Sequence, residues 1–184
     1  NIIQPDDWHV HLREGEMMKA IIKYSTRINQ RCIVMPNLDV PVTSMKLGLQ
    51  YLKKITSLSG DKFIPLLPCY LTENIDLEDF EIALQQKIFV GAKLYPSNAT
   101  NNSSYGISDI KKIYPALEIL QKLDKPLLIH GEKVTEGADI FDREKIFIDE
   151  ELIFIKKEFS NLKIILEHVS SKYGADFVND NENI

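Results

Sequence analysis

Glycine is sparse and never clustered in this chain: there are eight in 184 residues, with no G-x-G-x-x-G turn and no P-loop. That removes the usual announcements of a nucleotide site. Cysteine is rarer still. Cys32 and Cys69 are the only two and lie far apart, so they form neither a C-x-x-C pair nor a secreted-type disulfide framework and read as buried apolar thiols. Basic runs are also missing. No run exceeds a pair, and 22 Lys and Arg stand against 27 Asp and Glu for a net charge of -5, which argues against a nucleic-acid partner. Apolar runs such as IPLLP and PLLI fall far short of the roughly 20 residues that span a bilayer, and no signal-like segment opens the sequence. The expectation is a soluble, cytoplasmic protein with no membrane partner. The sequons at Asn98, Asn101 and Asn102 are set aside on that ground.

What is present is a regular alternation. Six apolar segments have strand length: WHVHLR (8–13), RCIVMPN (31–37), FIPLLPCYL (63–71), FVGAKLYP (89–96), KPLLIHGE (125–132) and LKIILEHVS (162–170). Between them run EMMKAIIKYSTRI, SMKLGLQYLKKITSL, LEDFEIALQQK, SDIKKIYPALEILQKL and FDREKIFIDEELIFIKKEF, where apolar residues return every three or four positions, as in amphipathic helices. Pro115, inside the fourth, is expected to kink it. Alternating strands and helices with continuous apolar strands imply an α/β fold with a parallel sheet under helices. Of the doubly wound sheet and the (β/α)8 TIM barrel, the histidines favour the barrel. All four, His9, His11, His130 and His168, fall at or near the C-terminal ends of predicted strands, where barrel sites are built. The chain thus reads as a single domain, 1–184, holding about six of eight βα units.

In DDWHVHLR, strand alternation puts Trp8, Val10 and Leu12 on one packed face and His9, His11 and Arg13 on the other. Two imidazoles about 7 Å apart on one face can reach one cation when the strand end curves around it. His130 ends PLLI just before Gly131, and His168 repeats the arrangement after IILE. Lys93 sits mid-strand in VGAKLYP, where burial drives an unpaired amine towards neutrality. A neutral buried amine can take up carbon dioxide as a carbamate able to bridge two metals. The competing reading of Lys93 alone is an ion pair with Glu132 or Glu167.

The segments QPDDWHVHLR, VMPNL, AKLYPSNAT, PLLIHGE and EHVS, with weaker matches at CYLT and IFDRE, resemble the shorter, bacterial-like dihydroorotases of the amidohydrolase superfamily from Pro5 to about Asn181. The combination of H-x-H-x-R, M-P-N and K-L-Y-P is much more specific than H-x-H alone. The resemblance implies a metal-dependent hydrolase barrel in which His9 and His11 bind the more buried zinc and His130 and His168 the more exposed one. Carboxylated Lys93 bridges the two. It implies attack by a metal-activated water on the ring amide of L-dihydroorotate, a reversible step of pyrimidine synthesis giving N-carbamoyl-L-aspartate. By the same resemblance Arg13 and Asn37 grip the substrate carboxylate, Thr100 reaches it from a closing loop, and the protein is a homodimer. Where relatives often carry a second threonine beside Thr100, this chain has Asn101.

The family's proton-shuttling aspartate comes from the eighth strand, and Asp139, Asp142 and Asp176 do not sit in its context. The resemblance therefore places the catalytic aspartate beyond Ile184 and names no residue of this sequence for the role. The expectation is an N-terminal portion of a longer chain, inactive alone, since a six-strand barrel leaves two open sheet edges. The alternatives are another cyclic-amide hydrolase such as a dihydropyrimidinase, which lacks the need for a carboxylate-binding Arg13, and a non-catalytic scaffold homologue.

Overall fold

Apolar strands and amphipathic helices alternate in the folded chain. The computed structural model describes residues 3–184. Its strands are β1 (Asp6–Val10), β2 (Arg31–Val34), β3 (Ile64–Leu66), β4 (Cys69–Tyr70), β5 (Ala92–Leu94), β6 (Leu127–Ile129) and β7 (Ile164–Leu166). The helices are α1 (Gly15–Ile28), α2 (Met45–Ser59), α3 (Leu77–Gln85), α4 (Tyr114–Lys122), α5 (Arg143–Phe147), α6 (Ile153–Glu158) and α7 (Lys172–Asn179). Every strand pair is parallel, in the orders β1-β2-β3 and β4-β5-β6-β7.

The third expected strand, 63–71, is divided into β3 and β4. Pro68 has no N–H to give a ladder, and prolines inside sheets mark breaks or edges. The chain uses the break to change partners: β3 pairs with β2, then Cys69 N donates to Gly91 O at 3.0 Å and β4 pairs with β5.

The parallel wall is buried on its helix side and, in its middle, on the other side too, while Ile64 and Ile165 of the inner row stay exposed. On the helix side Cys32, Val34, Ala92, Leu94, Leu127, Ile129, Ile164 and Leu166 join one large core. On the other side Ile33, Met35 and Leu128, with Leu66, form a small inner cluster. Lys93 pairs in register with Leu128 on that inner row.

Three details towards the second half of the chain differ from expectation. Pro115 does not kink a helix. A 3-10 turn (Ile110–Ile113) precedes it and the proline occupies the first turn of α4, where its missing N–H costs nothing. The fifth helical segment is interrupted by a π turn (Ile148–Leu152) between α5 and α6. A further helix, α7, follows the last apolar run. Ser171 caps it, accepting from Gly174 N at 3.0 Å. The polar run NDNENI (179–184) packs back on the sheet. Asn183 O accepts from Ile164 N at 2.9 Å, beside β7, and the partly buried Ile184 side chain packs against the large core.

The simple alternation of β1 also needs correction. From Asp7 to Val10 the strand advances three residues while its partner advances from Cys32 to Val34, so the register slips. An inserted residue resets which face the following side chains take. Val10 and Leu12 pack on the large core, but Trp8 does not join them: it is 55% exposed, beneath the Arg31 guanidinium at 5.5 Å. The Asp7 side chain accepts from His9 N at 3.0 Å, which occupies a donor that the slip takes out of the ladder.

Candidate metal centre

The strand ends bring all four histidines together. His9 lies at the end of β1 and His11 just beyond it, while His130 follows β6 and His168 comes two residues after β7. With Tyr95 and Thr100 they line one cavity of about 210 Å³. Ring centroids are 5.0 Å apart for His9 and His11, 5.4 Å for His9 and His168, and 4.6 Å for His130 and His168. Close packing of β6 against β7 requires Gly131, because a Cβ there would meet Leu166 at 2.4 Å.

Outer partners fix which ring nitrogens face inward. His11 Nδ1 lies 2.9 Å from Asn37 Oδ1 and His9 Nδ1 lies 2.9 Å from Glu167 Oε1. Both acceptors take an N–H at Nδ1, which turns each Nε2 inward. Those two Nε2 atoms face each other at 3.1 Å. Burial, then the charge of Arg13, pushes the His11 pKa down to about 4, so His11 Nε2 presents a lone pair near neutral pH. Two inward-facing imidazole nitrogens at this distance can share a proton or a cation.

The second pair is built alike. His130 Nδ1 faces His168 Nε2 at 3.0 Å. Burial, then the neighbouring His168, pushes His130 down to about 3, and burial also lowers His168. His130 Nε2 is buried with no hydrogen-bond partner among the described residues, Glu132 Oε2 lying 3.8 Å away. Neutral imidazoles are donors zinc takes, and both spacings fall within twice a Zn–N bond of roughly 2.0–2.1 Å. The residues fit the group.

Beneath them lies Lys93, 0% exposed, with its Nζ in contact with Glu167 Oε2. The ion pair that competes with the carbamate reading of Lys93 is thus formed, with Glu167 and not with Glu132. Burial lowers the Lys93 pKa to about 8 against the opposing pull of Glu167. Burial works against the Glu167 carboxylate too, but its hydrogen bond from His9 and the Lys93 charge hold it below the usual value. Glu167, just after β7, therefore reaches both His9 of β1 and Lys93 of β5.

Arg13, Asn37 and Thr100 are near this centre in different ways. Thr100 lines the histidine cavity. Asn37 is buried with its side chain already used: its Oδ1 serves His11 and its Nδ2 donates to Asn101 O at 3.1 Å. Arg13 Nη1 donates to Asn37 O at 3.0 Å, and Arg13 lines a neighbouring cavity with Asn101 and Asn102. Asn101, at the position of the second threonine, thus contributes its backbone carbonyl. The loop is docked, because Asn102 Nδ2 also donates to Asn37 O at 3.2 Å.

The histidine cavity is lined by no carboxylate, its described lining being His9, His11, Tyr95, Thr100, His130 and His168. The expected catalytic aspartate is not among these residues, and none of Asp139, Asp142 and Asp176 lines the cavity.

Tyr95 escaped the sequence reading. It shares the inner face with Lys93 two residues earlier, a strand period that could have marked it. Its hydroxyl is buried with no partner among the described residues, and burial, then Glu167, pushes its pKa up.

No family model matches the chain. It is 46% identical over 179 residues to the dihydroorotase of Yersinia pseudotuberculosis, covering 96% of this chain and 51% of that protein. It is 45% identical over 181 residues to the dihydroorotase of Escherichia fergusonii, covering 97% and 52%. The chain thus spans about half the length of the curated relatives it matches. Among solved structures, Saccharomyces cerevisiae dihydroorotase in complex with 5-fluoroorotic acid superimposes with a TM-score of 0.89 at 32% identity, over 98% of this chain and 52% of that one. Campylobacter jejuni dihydroorotase gives 0.88 at 33% over the same shares. An L-hydantoinase (dihydropyrimidinase) from Arthrobacter aurescens gives 0.71 at 16%, over 96% and 44%, a likeness of fold alone.

The fold is therefore the barrel wall of the amidohydrolase type, part of a TIM barrel. Within that class the chain is dihydroorotase-like, in sequence along 96% of its length and in structure along 98%.

Proposed function

We propose that the protein is a zinc-dependent dihydroorotase, which reversibly hydrolyses the cyclic amide of L-dihydroorotate to N-carbamoyl-L-aspartate. The observation that carries this reading is the convergence of four histidines on one cavity, with the inward Nε2 atoms of His9 and His11 3.1 Å apart, above a buried lysine. The similarity to dihydroorotases supports the substrate, as does the yeast relative's complex with 5-fluoroorotic acid.

His9 and His11 would hold one zinc ion, His130 and His168 the other, with Lys93 carboxylated between them. When bound, the ions supply the Lewis acidity that polarises an amide carbonyl and activates water at neutral pH. Carboxylation is the lysine's own step. Its neutral amine adds to carbon dioxide, an N–C bond forms, and one N–H proton leaves to solvent. The lowered pKa brings the amine nearer its reactive form. A carbamate beside Glu167 concentrates two anions in a buried place, so carboxylation and metal loading support each other.

Arg13 binds the substrate carboxylate through its planar fork. Asn37 contributes to the same end of the site by holding His11, and Thr100 offers a hydroxyl from the loop. A dihydropyrimidinase has no such use for Arg13, and a scaffold has no use for a complete ligand set. Among the described residues no helix is long and apolar enough to cross a membrane. We place the protein in the cytoplasm as a homodimer, in keeping with the resemblance.

The test is turnover of dihydroorotate and dihydrouracil by the natural full-length protein, together with its zinc content. Dihydroorotate turnover with about two zincs per chain is expected. Turnover of dihydrouracil alone makes it a dihydropyrimidinase, and neither zinc nor turnover makes it a scaffold.

A further inference from the structure

A carboxylate far from the metal ligands in sequence has an unusual set of partners. Glu144, at the start of α5, is only 5% exposed. Its Oε2 accepts from Ser170 N at 2.9 Å and Ser170 Oγ at 3.3 Å. Its Oε1 accepts from Ser171 N at 3.0 Å and from Ser171 Oγ. Four donors on one buried carboxylate satisfy it almost completely. The fit is tight, since a Cβ on Gly174 in the first turn of α7 would lie 2.3 Å from Glu144 Oε1.

These contacts close one end of a short segment whose other end is also fixed. Glu167 N donates to Ile129 O at 3.1 Å, and the Glu167 side chain is held by Lys93 and His9. Between the two anchors lies His168 with φ of 39°. A non-glycine residue rarely adopts such a backbone, and it persists where its surroundings over-determine it. The anchor also reaches the other histidine of the pair. Lys133 N donates to Arg143 O at 3.1 Å, tying the chain after His130 to the turn that carries Glu144.

We propose that Glu144 is a positioning residue for the His130–His168 half of the metal centre: through Ser170 and Ser171 it holds His168 in its left-handed backbone and its ring against His130. Glu144 touches neither histidine. This inference rests on the metal-centre reading given above.

The test compares the natural full-length protein with its Glu144→Gln variant. An amide supplies one acceptor where the serines need two, and turns its NH2 on donors. Crystal structures of both, prepared without metal, read the geometry directly. In the variant His168 is expected to leave its positive φ and its 3.0 Å approach to His130. Zinc competition with a chelating dye reads the consequence: one of two ions bound about 10–100-fold more weakly, the other unchanged. A fall in kcat with little change in KM should accompany it. Should Glu144→Gln fail to fold, Ser170→Ala removes only the longest contact and should weaken the same ion by a smaller factor. Unmoved His168 geometry with wild-type affinity for both ions overturns the proposal, even if the melting temperature falls. Wild-type protein that binds no zinc overturns the metal-centre reading instead, and the metal-free crystal structures still decide the role of Glu144.

Discussion

His11 gives its Nδ1 proton to Asn37 Oδ1 at 2.9 Å, and this contact aims its Nε2 at that of His9. Second-sphere partners of this kind set the tautomer and orientation of a ligating histidine. Asn37→Ala should therefore lower zinc affinity by about 10–100-fold while leaving the fold in place. Chelator competition and a thermal melt separate the two effects, and unchanged affinity would show that Asn37 does not orient His11.

The buried Lys93–Glu167 pair makes a different prediction for metal-free protein. Lys93→Met removes one charge and leaves the other buried, which should cost about 3–5 kcal/mol. Adding Glu167→Leu should recover most of that loss by removing the stranded carboxylate. Denaturant unfolding of both variants measures it. A single substitution as stable as wild type would mean that Glu167 relaxes onto His9 or water.

Carboxylation of Lys93 should be visible without activity. Zinc-loaded protein equilibrated with isotopically labelled bicarbonate should show a carbamate carbon resonance that Lys93→Met lacks. Removing the metal should erase it, because the carbamate would then face Glu167 uncompensated.

Arg13 can be tested by substrate choice. Losing a charged hydrogen-bond partner costs about 1.5–3 kcal/mol, so Arg13→Gln should cut kcat/KM for dihydroorotate by roughly 10–150-fold. Arg13→Lys should restore only part, lacking the fork. Equal loss on dihydrouracil, which has no carboxylate, would show a general rather than a carboxylate-specific role.

At the surface, Glu73 offers a pH readout. It accepts from Lys112 Nζ at 2.6 Å, Ser108 Oγ at 2.6 Å, Ser108 N at 2.8 Å and Asp109 N at 3.0 Å. The Lys112 contact, then Ser108, holds its pKa down to about 2 against an ordinary 4.5. A depressed carboxylate stabilises fully above its unfolded pKa and loses that effect as pH falls through the folded one. Glu73→Gln should melt earlier than wild type at neutral pH, with the gap closing between pH 4.5 and about 2. A gap that persists below this window would assign the effect to hydrogen bonding instead of charge.

The convergence of His9, His11, His130 and His168 was legible because the barrel places them at strand ends, and Lys93 stood out as a cation in the middle of an apolar strand. Geometry within the strands was less so. Alternation treats β1 as uniform, but the slip between Asp7 and Val10 exposes Trp8, and no composition cue near residue 8 announces an inserted residue. Pro68 was visible, but one apolar run on both sides of it hid the change of partners. Asn37 was recognisable as a site residue from M-P-N. That its amide turns to His11 and the Asn101 carbonyl depends on contacts 26 and 64 residues away, which local pattern cannot encode.

The interruption at Pro68 divides the wall into two hydrogen-bonded ladders. His9 and His11 ride on one, whereas Lys93, His130 and His168 ride on the other. Ions shared by these ligands would act as a rivet across a seam in the sheet, so loading the centre should slow amide hydrogen exchange around β3 and β4.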